Sequence, residues 1–416
     1  MAPLRHRGFR LLWLSSLSWY FGRWMDVLVT GWVTLQITDS AWLVAMIGFY
    51  RSIPVPIFGA FAGAIADRVD RRLLVIATET INALTALSIA LLFMADRLEY
   101  WHLAVANLLL GFAWSIEWPS RRAIIPDLVG RELIMPAVVL DSISMNFNRT
   151  LGPLLGGALL ATLDIPGCYL LLALLYAGGL VPLLLLRLPA STRAKSASAL
   201  RFLGEGLGFC VKQDVVRGIL LITVLMNCFY FPYVQLLPVI ARDVFHVGPV
   251  ALGFLSAADG IGSIIGAFIL VSWKRLRRHG LVFVASSVGA TAALFAFSVS
   301  PIYGLGLAML ILGGVLHSGF TTFQSTVILG AVSDSLRGRV LGVLTLAIGS
   351  SPAGMLLMGG IAGALSASWA LGISGAAGVV LNTAAATISP GLVAHAAKPA
   401  EPTAAMSTKR SVASSE

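Results

Sequence analysis

In Gly59-Ala60-Phe61-Ala62-Gly63-Ala64-Ile65-Ala66-Asp67-Arg68-Val69-Asp70-Arg71-Arg72 an apolar run ends at Gly63, and the residues after it carry two acids and three arginines. Each of those charges would cost about 2.5–3.5 kcal/mol at the centre of a bilayer. The break therefore lies outside hydrocarbon. It reads as a short basic turn, on the cytoplasmic side, between two membrane-spanning helices.

The rest of the chain agrees with that reading. Of its 416 residues 57% are hydrophobic and only 12% charged, against about 25% charged in soluble domains. Apolar segments long enough to cross a bilayer recur from end to end. The longest polar stretches, 188–212 and 391–416, are too short for a second folded domain. One all-α integral membrane domain is expected. The net charge of +10 is explained by topology. With the N-terminus taken as cytoplasmic, every Lys and Arg falls on that side except Arg97 and Arg242 in outer loops and Arg23, Arg51 and Arg149 within spans. That asymmetry puts both termini inside and suits contact with anionic lipid. A nucleic-acid partner is not expected, because no basic surface with interleaved aromatics is available. Cys168, Cys210 and Cys228 are too scattered for a disulfide or zinc framework. Met1 to Arg10 runs directly into the first span and is expected to open it rather than to be a removed signal peptide.

Twelve spans follow from the pattern. Span 1, about 11–37, carries Ser16, Tyr20, Arg23, Asp26, Thr30 and Thr34 on one face, and such a stripe must face protein or a water-filled cavity. Span 2, about 41–65, holds Arg51 near mid-depth. Spans 3, 4, 5 and 6 are expected at about 73–95, 101–122, 133–163 and 167–188. The polar face of span 5 runs from Asp141 through Ser144 and Asn148 to Gly152 and Gly156. Gly152-Pro153 offers a bend, and Gly156-Gly157 a close helix approach. Residues 189–213 read as a cytoplasmic linker with an interfacial amphipathic helix through Leu200, Phe202, Leu203, Leu207 and Phe209. Spans 7 to 12 fall at about 214–241, 248–273, 280–299, 302–330, 339–365 and 368–390. The Ala- and Ser-rich end, 391–416, reads as a disordered cytoplasmic tail. Gly59-Ala60-Phe61 recurs as Gly266-Ala267-Phe268, and Leu128, Gly130 and Arg131 recur as Leu336, Gly338 and Arg339. The repeat implies two pseudo-symmetric six-helix bundles, 1–188 and 214–390.

The Gly-x-x-Ala-Asp-Arg-x-x-Arg-Arg spacing resembles the loop between helices 2 and 3 of the major facilitator superfamily, with Asp70 where that loop normally has Gly. Gly152-Pro153 resembles the helix-5 element of its antiporters. Phe9-Arg10-Leu11-Leu12-Trp13-Leu14, Pro126-Asp127-Leu128-Val129 and Arg337-Gly338-Arg339-Val340 resemble the branch of enterobactin and macrolide exporters. The resemblance implies that Asp67, with Gly63, Arg68, Arg71 and Arg72, forms a gating loop. There Asp67 would sit by the start of helix 11 and latch the cytoplasmic side shut. A carboxylate at a helix N-terminus is favoured by about 0.3–1 kcal/mol, and Arg71, Arg72 or Arg121 could be its ionic partner.

No Gly-x-x-x-x-Gly-Lys-Ser/Thr loop is present, so work is expected from an ion gradient, the proton gradient first, rather than from a bound cofactor. A proton antiporter needs a buried carboxyl whose charge changes as cargo leaves; burial disfavours the ionised form and a nearby arginine favours it. Asp26, one turn from Arg23 and near Arg51, is the foremost coupling candidate, though a static ion pair would use the same residues. Asp259 lies mid-span with no arginine deep in the second half, and is expected to titrate alone. Glu79, Glu117 and Asp141 read as network members with Arg149, Arg121 and Arg122. Tyr20, Asn227, Tyr230, Tyr233, Gln235, His317 and Gln324 are candidate cavity residues; helix-to-helix hydrogen bonds would place the same groups there. No His, Cys or Met cluster suggests a metal.

The sequence thus predicts a proton-coupled exporter of a small amphipathic molecule, a siderophore, antibiotic or other secondary metabolite, working as a monomer in a bacterial inner membrane. An importer or a metal-efflux carrier of the same fold, and a non-transporting receptor, remain alternatives. An embedded enzyme is not expected, for want of a convergent catalytic cluster.

Overall fold

The computed structural model describes residues 2–58, 69–188, 199–273 and 278–395. Gly63, Asp67, Arg68 and most of the 391–416 segment lie outside them. The described residues are helical, without a strand: α1 (Arg7–Thr38), α2 (Ala41–Ser52), α3 (Arg71–Met94), α4 (Tyr100–Leu128), α5 (Ile134–Leu185), α6 (Ala199–Lys212), α7 (Asp214–Phe229), α8 (Tyr233–Val239), α9 (Pro249–Ser272), α10 (His279–Ser298), α11 (Tyr303–Ala331), α12 (Asp334–Ile348), α13 (Ser351–Ala364), α14 (Ala367–Ile388) and α15 (Pro390–Ala394).

Nine of the described helical stretches have the length and apolarity to cross a membrane. Two long helices fall outside that group. α1 has 32 residues and α4 has 29, but α1 buries Asp26, and α4 buries Glu117 and Arg121, within the protein. α5 has 52 residues and would stretch about 78 Å, more than twice the hydrocarbon thickness of about 30 Å. Asp164, at φ 57° and ψ −175°, breaks it into two legs, 134–163 and 165–185. The chain turns back at Asp164, between the expected spans 5 and 6, and stays helical through Gly152-Pro153. Gly152 is small for another reason: a Cβ there would lie 2.7 Å from Cβ of Trp24 on α1.

Asp39, Asp96, Asp164 and His246 all have positive φ, which Asp and His tolerate better than most side chains. They occupy successive turns at one end of the molecule, and Ser40 then caps α2 by accepting from Leu43 N at 3.3 Å. At the opposite end, Asp70 caps α3 through Arg72 N at 2.8 Å. Its φ of −61° needs no glycine, which explains the acid in the loop. Arg71 there reaches Asp127 at 3.2 Å, and Arg72 the carbonyls of Leu183 and Leu184.

Contacts between the first-half helices α1–α5 and the second-half helices α7–α14 form a seam of small residues toward the Asp39 end. A Cβ on Gly157 of α5 would meet Pro249 O of α9 at 2.3 Å, and one on Gly363 of α13 would meet Trp42 Cβ of α2 at 3.0 Å. Arg242 reaches Asp39 at 2.5 Å across the same end. Toward the other end α5 and α9 part: Val139, Ile143 and Phe147 on α5, and Ile264, Phe268 and Val271 on α9, are exposed on the faces that touch higher up.

Two expectations about the connecting segments change. α6 packs on α12, with Gly206 against the carbonyl of Arg339 and Cys210 buried, so part of its apolar face covers protein. α15 starts the tail in order: Gly391 N donates to Asp214 at 2.7 Å and Leu392 is buried.

Candidate functional site

Where the seam ends, Arg149 of α5 forms an ion pair with Asp259 of α9. Nδ1 of His317 on α11 lies 3.1 and 3.3 Å from the two Asp259 oxygens, and the Tyr230 hydroxyl donates to Oδ1 at 3.4 Å. Asp259 is 3% exposed, whereas the Arg149 side chain is 27% exposed. Both partners line a small groove of about 30 Å³ with Trp24, Val27, Gln235 and Ser256, Arg149 the more exposed of the two. The carboxylate is placed this close because glycines of α11 and α9 sit where α11 and α5 cross α9. A Cβ on Gly314 would strike the Asp259 backbone, and one on Gly260 would strike Thr150. A group of this kind can hold one negative charge against either a guanidinium or a proton, according to which side of the seam is open.

The first-half helices hold three more networks. Arg51 pairs with Asp26 at 2.7 Å and donates to Asn107 at 3.3 Å. Thr30 donates to Asp26 at 3.0 Å and is itself 2.8 Å from the Tyr169 hydroxyl. The void beside Asp26 is about 10 Å³, room for about one water and no cargo. Arg121 is bound by Glu117 at 2.7 Å and Glu79 at 3.0 Å, and donates to Ser15 at 3.0 Å. Asn82 donates to Glu117 at 3.1 Å. Tyr20 donates to both oxygens of Asp141 at 3.2 Å, while Arg122 stands 3.9 Å from it.

The model of the family described as transmembrane secretion effectors matches residues 1–413. The chain belongs to that family. These are major facilitator transporters and not enzymes, and the chain is a multi-pass membrane protein. It is 27% identical to the staphyloferrin A transporter of Staphylococcus aureus over 83% of its length and 87% of that protein's. It is also 27% identical to the enterobactin exporter EntS of Shigella boydii, covering 78% of each. Among solved structures, a POT family transporter in complex with a thioalcohol-conjugated peptide superposes with a TM-score of 0.75 at 12% identity, covering 93% of this chain and 96% of that one. A bacterial homologue of the human lysosomal transporter Spinster, inward-facing and occupied, gives 0.70 at 16% identity over 96% and 99%. At those identities the likeness is one of fold.

Several site expectations are redrawn by the family member's own geometry. Asp259 does not stand alone, because the first half supplies Arg149 to it. Arg149 is therefore not part of the Glu79 and Glu117 network. Arg121 belongs to that network; its expected pairing with Asp67 lies outside the described residues. Arg23 has no ion pair with Asp26; its guanidinium lies 3.5 Å from the Trp114 ring. Of the expected cavity residues, Tyr233 and Gln235 line the groove by Asp259, and Tyr230 and His317 touch Asp259 itself. Tyr20 is spent on Asp141. Asn227 donates to the carbonyl of Thr223 one turn back, and Gln324 donates to the Thr223 hydroxyl at 2.7 Å, so neither faces the groove. Asn107, Tyr169 and Asn82 were missed; polar residues singly placed in apolar helices were their one signal.

Proposed function

We propose that this protein exports a small siderophore-like metabolite across a bacterial inner membrane in exchange for protons. In this reading twelve spans, with both termini cytoplasmic, form two six-helix bundles, 1–188 and 214–390, joined by the 189–213 linker, and a single copy suffices. The bundles rock about the seam so that a midplane chamber opens to one side and then the other. The basic end of the molecule is the cytoplasmic one. The conformer described here is then closed outside, at Asp39 and Arg242, and parted inside, where α5 and α9 diverge. The two named relatives, a siderophore transporter and a siderophore exporter, support the cargo class. Asp67 would brace the cytoplasmic side when it closes.

The observation that carries the coupling is the Arg149–Asp259 pair, which joins the two bundles at the end of the seam. While the outside is closed, Asp259 is neutralised by Arg149 and helped by His317. Rocking that separates α5 from α9 takes the guanidinium away, and a proton from outside replaces it. Return to the closed form restores the pair and delivers the proton to the cytoplasm. Asp26, fully engaged by Arg51 and Thr30 around a one-water void, is a structural pair in this scheme.

Everted vesicles loaded with a pH-gradient dye test the proposal. Addition of the right siderophore should collapse the gradient, and Asp259→Asn should abolish the collapse while leaving the protein inserted. Cargo movement that continues at full rate after a protonophore has removed the gradient would exclude proton exchange.

A further inference from the structure

Arg23 is the one membrane-depth arginine, among the described residues, that has neither an ion pair nor a hydrogen bond within the protein. Its neighbouring acids are taken: Asp26 by Arg51 and Thr30, Glu117 by Arg121 and Asn82. Its Nε has no acceptor. Position 23 is the middle of α1 (Arg7–Thr38), about 23 Å from either end, too far for the side chain to reach a lipid headgroup.

What Arg23 does have is an aromatic platform. Its guanidinium lies 3.5 Å above Trp114 of α4. One turn along, Trp118 stacks on Trp114 with rings 6.3 Å apart and 17° from parallel. Arg122 covers Trp118 at 4.4 Å, and its nearest acid, Asp141, is 3.9 Å away and shared with Tyr20. Arg122 Nε and Trp118 Nε1 also have no acceptor. Arg122 spends one N–H on Ser142 at 3.3 Å; otherwise the two guanidinium groups, each over one of two near-parallel indoles, present under-used donors. An intramembrane cation is costly unless something answers it, and a planar fork recognises a planar anion best.

We infer that Arg23, on Trp114, with Arg122, on Trp118, is the binding site for a planar anionic group of the cargo, a carboxylate or an ionised phenol on a flat ring. The inference rests on the transporter reading and narrows its cargo to anions. Trp114, itself stacked on Trp19 at 4.9 Å, and Trp118 hold the guanidinium groups in place, and the guanidinium edges supply the charge-assisted hydrogen bonds.

Equilibrium dialysis against the full chain in phosphatidylcholine nanodiscs tests this with three probes of similar size or greater apolarity: salicylate, its neutral amide salicylamide, and the cation tetraphenylphosphonium. Salicylate should bind saturably and the other two at least tenfold more weakly. Arg23→Gln should weaken salicylate about tenfold or more, with Arg23→Lys in between, because charge survives and the fork does not. Equal binding of salicylamide, or unchanged salicylate binding by monodisperse Arg23→Gln, would overturn the assignment. Should Arg23→Gln not yield monodisperse protein, Trp114→Leu and Arg122→Gln take its place; each should weaken salicylate, and no effect from both overturns it equally. Competition by phosphatidylglycerol added to the nanodisc would make a lipid headgroup the occupant and overturn the cargo assignment. Anion-selective binding without proton-linked transport would instead refute only the exporter scheme.

Discussion

Replacing Asp259 by Asn should move the molecule off the conformer described here. The carboxylate takes contacts from Arg149, His317 and Tyr230. Hydrogen bonds to a charged group contribute about 1.5–3 kcal/mol and neutral ones about 0.5–1.5. Asn keeps a carbonyl for one or two donors but loses the charge, so the change forfeits about 2 kcal/mol across the three. Arg149 is part-exposed and can be rehydrated, which keeps the cost below the 3–5 kcal/mol of a wholly buried orphan. If the pair exists only while the Asp39 end is closed, about 2 kcal/mol lowers the closed-to-open ratio about thirtyfold. Spin labels at Ser40 and Leu365, on turns from the two halves at that end, would report the ratio by electron–electron double resonance. The native cysteines Cys168, Cys210 and Cys228 would first be replaced. The variant should gain a long-distance population absent from the parent. An unchanged distance distribution, with the protein monodisperse, would show that both conformers keep the pair and that it is no switch.

Other outcomes follow from the same geometry. Gly157→Val puts a Cβ 2.3 Å from the Pro249 carbonyl. Overpacking of this kind costs about 1–3 kcal/mol, so the same spin labels should show the Asp39 end opening. Asp26→Asn or Arg51→Gln alone should each destabilise by about 3–5 kcal/mol, and the double variant by less than their sum, because it leaves no orphaned charge; melting in detergent would show the ordering. Arg242→Ala removes a pair whose Asp39 partner is 82% exposed, and should alter stability by no more than about 1 kcal/mol. A drop in melting temperature matching that of the Asp26 variant would make Arg242 a lock.

Much of this was legible in one dimension because bilayer physics is severe. Charge breaks mark turns, and the 59–72 stretch alone implies two spans. The i,i+4 spacing of Glu117 and Arg121 suits their pair, and of the polar stripe of α1 Ser16, Tyr20, Asp26, Thr30 and Thr34 are buried against protein. Contacts between distant helices were not legible. Arg149 and Asp259 are 110 residues apart, and nothing in either neighbourhood names the other. Gly152 illustrates a different gap. Gly-Pro suggests a bend, but a helix tolerates proline when neighbours satisfy the freed carbonyl, and the glycine is there to let α1 approach. The break at Asp164, by contrast, falls between spans 5 and 6 where the apolar pattern puts a turn, and the structure adds only its positive φ.

The distribution of buried charge between the halves explains why one ion pair can serve as the hinge of a transport cycle. The first half pairs its own charges: Asp26 with Arg51, Glu79 and Glu117 with Arg121, Asp141 with Arg122. These tie α1 to α2, and α3 to α4, so separating the halves disturbs none of them. Nearly everything that crosses the seam is small and apolar, packed by Gly157, Gly253, Gly359 and Gly363. In lipid such contacts carry little net hydrophobic drive, and parting them exposes no unsatisfied charge. Among the described residues the Arg149–Asp259 pair is the only ion pair between the halves that has a buried partner, Asp259. In the proposed cycle a proton or an anionic cargo that competes for either partner would act on the one such contact where about 2 kcal/mol is both available and undone by rocking, while the remaining buried charges would keep each half rigid enough to move as a unit.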